Sequence, residues 1–164
     1  MKKVLFVCHG NICRSPMAEA VFRHMLEERG LGERFAVDSA AVSAEEIGNP
    51  VYPEANRTLV AHGLPASNHH AWQLTRADYD RYDFFIGMDQ ENIYRMRQIF
   101  GGDSQHKVGL LPAYTEHPRE VEGHRRDCRD GEVRRADRAL LLAHARMRHD
   151  LAGHRPLGKR NAYR

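Results

Sequence analysis

Cys8 and Arg14, separated by five residues, stand near the start of the chain in the segment Cys8-His9-Gly10-Asn11-Ile12-Cys13-Arg14-Ser15. Such a stretch, with a glycine and short polar side chains, can turn its backbone N–H groups onto one anion, and the N-terminus of a following helix adds its dipole. It lacks the Gly-Lys-Ser/Thr ending of a nucleotide-binding P-loop and offers a thiol and an arginine instead. A cysteine at the base of such a cradle sits among positive dipoles that favour the thiolate, the form that attacks. Arg14 can grip two oxygens of a phosphoryl group with its planar fork. Nucleophile, cradle and guanidinium together suit in-line attack on a phosphate monoester, giving a phosphocysteine that water then hydrolyses. His9, Gly10, Asn11, Ile12, Cys13 and Arg14 form the expected phosphate-binding set. Cys13, in the same tight loop, is placed to capture an oxidised Cys8 as a reversible disulfide, which makes Cys8 a redox-sensitive cysteine.

The elements that must hold this loop are legible around it. Val4-Leu5-Phe6-Val7 is a short apolar strand, and Ala18, Val21, Met25 and Leu26 recur at helical spacing after Ser15-Pro16. Ser15 is the expected N-cap, Pro16 the first helical residue and Gly30 the stop. A second strand is expected at Phe35-Ala36-Val37, then a helix from Pro53 to about His62 closed by Gly63. Phe84 to Met88 reads as a buried strand whose successor, Asp89, caps a helix carrying Ile93, Met96, Ile99 and Phe100. Val108 to Leu111 supplies a fourth strand, and Val133, Ala136, Leu140, Ala143, Met147 and Leu151 a final amphipathic helix. Strands alternating with helices predict an α/β fold: a three-layer, four-stranded, mainly parallel, doubly wound sheet with helices on both faces. Ligands of such sheets sit beyond the carboxyl ends of the strands, where the loop after the first strand lies.

The segment Val7-Cys8-His9-Gly10-Asn11-Ile12-Cys13-Arg14-Ser15-Pro16-Met17-Ala18-Glu19 resembles the signature of the low-molecular-weight protein tyrosine phosphatases. The resemblance continues through Val37-Asp38-Ser39-Ala40-Ala41, Glu46-Ile47-Gly48-Asn49-Pro50, His62-Gly63, the His69 region and Gly87-Met88-Asp89, over about residues 1–120. It implies that Cys8 is the nucleophile and Arg14 the phosphate ligand, and that phosphotyrosine in proteins or small aryl phosphates are the substrates. It also implies that Asn11, Ser39 and His69 hold the loop by hydrogen bonding and that the Ser15 hydroxyl stabilises the thiolate. By residue type alone, Ser15 is equally a helix cap and His69 a surface histidine beside His70.

Three positions depart from the family pattern. The family's general acid belongs to an Asp-Pro-aromatic-Tyr segment, but the comparable stretch here is Val121-Glu122-Gly123-His124-Arg125-Arg126-Asp127. Gly123 stands where the acid is expected. Asp127 is the candidate replacement, with Glu122 and Asp130 nearby, and any acid must come within about 3 Å of the leaving oxygen. Glu45 replaces an aromatic residue of the substrate wall, for which Tyr52 is the nearby alternative, and Trp72 takes a position usually held by Arg. An anion-binding domain with little turnover is the alternative function. An arsenate reductase is disfavoured because Cys13 and Cys128 have no cysteine between them to relay a disulfide. A protein-arginine phosphatase is disfavoured because Ile12 stands where those relatives carry Thr.

At 164 residues, 41% hydrophobic and 29% charged, the chain is expected to form one phosphatase-like domain over 1–151, with a basic C-terminal tail at 152–164. Residues 1–120 hold 13 Lys and Arg against 16 Asp and Glu, whereas residues 121–164 hold 12 against 6. This basic stretch lacks interleaved aromatics and reads as a solvated face rather than a nucleic-acid surface. No apolar run reaches the roughly 18 residues of a membrane span, and a cytoplasmic location is expected. Three cysteines and scattered histidines suit neither a disulfide scaffold nor a metal site, so no metal and no cofactor are implied.

Overall fold

Seven residues, Lys2–Cys8, form strand β1, and its side chains alternate between two cores. Val4, Phe6 and Cys8 join the core built with helix α1 (Arg14–Glu28) and helix α2 (Pro53–Ala61). Leu5 and Val7 join the core built with helix α3 (Gln90–Phe100) on the opposite face. That period of two, with both faces covered, is why the strand is apolar throughout its second half. The computed structural model describes residues 1–114. The expected helix at 133–151, the 152–164 tail and the carboxylates Glu122, Asp127 and Asp130 lie outside the described residues.

Strands β2 (Phe35–Ala41), β3 (Phe84–Gly87) and β4 (Val108–Leu110) complete a sheet of order β2-β1-β3-β4, parallel in every pairing. The sheet is thus wholly rather than mainly parallel. Strand β2 also runs four residues beyond the apolar triplet that marks it in the sequence. Asp38 and Ser39 hide the continuation, yet both stay in register with β1, Leu5 opposite Asp38 and Phe6 opposite Ser39. The Asp38 carboxylate accepts the Tyr82 hydroxyl at 3.0 Å, and the Ser39 hydroxyl donates to Glu19, so neither polar side chain opposes strand formation.

The register matters for the site. Cys8 lies opposite Ala41 and Val7 opposite Gly87, so β1, β2 and β3 end together along one carboxyl edge. After β1 the chain turns into α1 on one face, and after β3 it turns into α3 on the other. The two connections diverge and leave a crevice between them, the usual ligand position in an open parallel sheet. Gly87 lets β3 press against α3: a Cβ there would stand 2.8 Å from Ile93 Cδ1 and 3.1 Å from Met96 Cε.

Candidate active site

The loop 8–14 is shaped by where its carbonyls go. Cys8 O accepts from Val42 N at 3.0 Å, His9 O from Ser43 N at 3.1 Å, Ile12 O from Tyr52 N at 2.8 Å and Cys13 O from Met17 N at 3.1 Å. With these carbonyls satisfied outward, the peptide planes turn their N–H groups inward. Those of His9, Gly10 and Ile12 have no acceptor among the described residues. Asn11 makes the turn with φ of 59°, a left-handed conformation that asparagine tolerates better than most residues, and it is fully buried. Gly10 lies close under Glu46: a Cβ there would stand 3.0 Å from Glu46 Cγ, so a larger residue would have to displace that side chain.

Cys8 is a free, buried thiol at the base of this loop. Asn11 N donates to its Sγ at 3.3 Å, and Ser15 Oγ lies 3.0 Å from the sulfur. The surrounding bonds settle the direction of that last contact. Asn11 Nδ2 has two hydrogens and spends them on Ser15 Oγ and Ser39 Oγ, both at 2.9 Å. Ser39 Oγ passes its own hydrogen to Glu19 Oε2 at 2.7 Å, and Ser15 is left with its hydrogen directed at Cys8. Two hydrogens thus converge on one sulfur, the arrangement in which charge-assisted bonds to an attacking sulfur can form.

Asn11 Oδ1 closes the network by accepting from His69 Nε2 at 2.7 Å and Trp72 N at 3.2 Å. His69 arrives here because Pro50 bridges to His70 and Ala41 to Gln73, which lays the 69–73 segment across the loop. Burial holds His69 below the usual histidine range, against the opposing pull of Glu19, whose carboxylate stands 3.9 Å from Nδ1. The neutral ring carries its hydrogen on Nε2, the nitrogen that donates to Asn11.

Arg14 opens α1 and reaches across the crevice to Asp89, its Nη1 lying 2.7 Å from Oδ2. The other carboxylate oxygen of Asp89 accepts from Asn92 N at 2.9 Å and caps α3. One side chain therefore ties the guanidinium to the start of the opposite helix. At the rim, His9 Nε2 lies 3.0 Å from Glu45 Oε2, and both side chains are exposed, at 40% and 69%. Tyr52 is half-buried against the α1/α2 core. A thiol offered two donors, inward N–H groups and an anchored guanidinium can bind a phosphoryl group and attack its phosphorus in line.

The family described as low molecular weight phosphotyrosine protein phosphatase matches residues 3–140 of this sequence. The chain belongs to that family. The low molecular weight phosphotyrosine protein phosphatase of Pongo abelii is 49% identical over 92 residues, 56% of this chain and 58% of the relative. The chain thus spans less than two thirds of that relative's length. The low molecular weight protein-tyrosine-phosphatase YfkJ of Bacillus subtilis is 40% identical over 116 residues, 71% of this chain and 74% of the relative. The crystal structure of YfkJ superposes with a TM-score of 0.79 at 28% identity, covering 95% of this chain and 98% of YfkJ. That of DARP, a Drosophila arginine phosphatase, superposes with a TM-score of 0.82 at 27% identity, covering 94% and 100%.

The residues singled out by resemblance gather around one sulfur: Asn11, Ser15, Ser39 and His69 are linked to Cys8 by the bonds above. Ser15 is not the helix cap. That position falls to Cys13, whose side chain makes no capping bond, and Pro16 is the third helical residue rather than the first. The Ser15 hydroxyl is taken by Asn11 and turned to Cys8 instead. Cys13 is disulfide-bonded, so it is not the waiting thiol expected to capture an oxidised Cys8. Trp72 contributes its backbone N–H and packs half-buried against the α3 core. Two further partners complete the site: Glu19, four residues after Ser15 on the same helix, and Asp89, which the sequence marks as a helix cap and as part of Gly87-Met88-Asp89 but not as a partner of Arg14. A carboxylate directly after a strand facing an arginine directly before a helix was the available signal for Asp89.

Proposed function

We propose that this chain is a hydrolase, a protein tyrosine phosphatase that cleaves phosphotyrosine in proteins, or small aryl phosphate monoesters, through a phosphocysteine on Cys8. The observation that carries the reading is the buried Cys8 Sγ receiving Asn11 N–H and the Ser15 hydroxyl at the base of a loop whose carbonyls face away. Cys8 attacks phosphorus, while the N–H groups of the loop and the Arg14 fork hold the equatorial oxygens as charge moves onto them. Asp89 orients Arg14, and Asn11, Ser39 and His69 keep the loop in the shape that presents its donors. Water then releases phosphate from Cys8. The family match supports this chemistry, and Cys8, a free thiol among the described residues, is the cysteine we expect to be redox-sensitive.

The deciding experiment mixes the protein rapidly with a phosphotyrosyl peptide carrying labelled phosphate and quenches in acid. Label bound to wild-type protein and absent from Cys8→Ser, with turnover lost in that variant, is the expected result. Turnover that survives Cys8→Ser ends the reading. Faster cleavage of a phosphoarginine peptide than of a phosphotyrosine peptide, compared as kcat/KM, replaces the tyrosine assignment.

A further inference from the structure

Expelling a phenolate demands a proton, since tyrosine's hydroxyl has a pKa of about 10. Most carboxyl and imidazole groups around the cradle are already committed. Asp89 holds Arg14 and caps α3, Glu19 takes the Ser39 hydroxyl and Arg23, and Glu46 accepts Asn49 Nδ2. His69 faces Asn11 with one nitrogen and Glu19 with the other. His9 differs. Its Nε2 is held by Glu45, its ring reaches solvent, and its Nδ1 has no partner among the described residues.

The position of His9 suits what that nitrogen can do. In-line displacement puts the leaving oxygen opposite the attacking sulfur. Cys8 is buried at the cradle's base, so the leaving oxygen points outward, to the rim where His9 and Glu45 stand. His9 follows the nucleophile directly, and its carbonyl is pinned by Ser43 N, which fixes the residue at that rim.

We propose that His9, oriented by Glu45, is the acid–base group of this site. The inference rests on the phosphatase reading above and adds to it the group that handles the proton. In the first step the thiolate pair forms the S–P bond, the ester P–O bond breaks, and the departing oxygen takes the proton from Nδ1 of the imidazolium. Glu45 Oε2, 3.0 Å from Nε2, holds the ring by the nitrogen that keeps its hydrogen throughout, which leaves Nδ1 to give up the proton and take it back. In the second step water attacks phosphorus, its proton passes to the now neutral Nδ1, and the S–P bond returns its electrons to sulfur. The sum is ester plus water giving phosphate plus phenol, with Cys8 and His9 restored.

The test is kcat/KM over a series of aryl phosphates from nitrophenyl to phenyl, for wild type, His9→Gln and Glu45→Gln. A positioned acid contributes about 10²–10⁴-fold, and most where the leaving group is poor. The expected result is a shallow leaving-group dependence in wild type. His9→Gln then loses about 10²-fold or more on phenyl phosphate, far less on nitrophenyl phosphate, and Glu45→Gln moves the same way by a smaller factor. Alkylation of Cys8 by iodoacetate, which reads the thiolate alone, keeps its rate in His9→Gln. A steep wild-type dependence, an equal loss on every substrate in His9→Gln, a slowed alkylation, or steepening by Asp127→Asn with none by His9→Gln each overturns the proposal. If wild type fails to cleave even nitrophenyl phosphate, it is the phosphatase reading that falls.

Discussion

Replacing Asp89 by Asn separates the two jobs of one carboxylate. Asparagine caps helices about as well as aspartate, so the bond from Asn92 N survives. What goes is the charged contact with Arg14 at 2.7 Å, between side chains that are only 21% and 9% exposed. A hydrogen bond to a charged group contributes about 1.5–3 kcal/mol, and breaking a fully buried ion pair costs about 3–5 kcal/mol. Arg14 keeps some contact with solvent, so the lower range applies to stability. For activity, a guanidinium that must be re-aimed in each turnover costs about 1.4–2.8 kcal/mol, which is a ten- to hundredfold fall in kcat/KM. Asp89→Ala loses the cap as well, about a further 1 kcal/mol of stability, with no further loss of activity. Urea unfolding and kcat/KM for nitrophenyl phosphate, measured on both variants, read the two effects separately. If Asp89→Asn keeps wild-type kcat/KM, the carboxylate is a helix cap and nothing more, and the reasoning about Arg14 fails.

Arg14→Lys does not rescue activity, because an ammonium cannot reproduce the planar fork; retention of most wild-type turnover refutes the cradle as drawn. Asn11→Ala strands Ser15, Ser39, His69 and Trp72 N–H around a fully buried site, costing more than about 3 kcal/mol in urea unfolding and slowing Cys8 alkylation. Asn11→Gly relieves the left-handed backbone and recovers about 1 kcal/mol, but not activity. Burial lowers His69 from its ordinary 6.5, so below that pH the unfolded chain takes up a proton that the folded chain refuses. Stability therefore falls as pH drops from about 6.5 toward the folded value, and His69→Gln flattens that part of the curve; an unchanged slope counts against a buried neutral ring. Gly87→Ala forces a methyl against Ile93 and Met96 and costs about 1–3 kcal/mol, so an unaltered urea midpoint shows that α3 can move away.

Four strands and three helices within residues 1–114 lay where apolar periodicity and Gly punctuation put them, because such signals act over a few residues. Gly30 and Gly63 stop α1 and α2 with φ of 63° and 76°, and Asp89 caps α3. The end of β2 was missed where Asp38 and Ser39 broke the apolar pattern. Their burial rests on Tyr82 and Glu19, 44 and 20 residues away, which no local propensity registers.

Cys8 and Arg14, five residues apart between a strand and a helix, are enough by themselves to name the chemistry, since spacing and flanking elements place both at one helix N-terminus. Which hydrogen points at the sulfur was another matter. Ser15 has the composition of a cap, and it faces Cys8 only because Asn11 fills its acceptor site, while Asn11 is held by His69 from 58 positions away. The same holds for Arg14 meeting Asp89 across the crevice and for Glu45 closing on His9. A side chain's type limits the bonds it can make, but only sheet register and the divergence of loops at the carboxyl edge decide which partner stands within 3 Å.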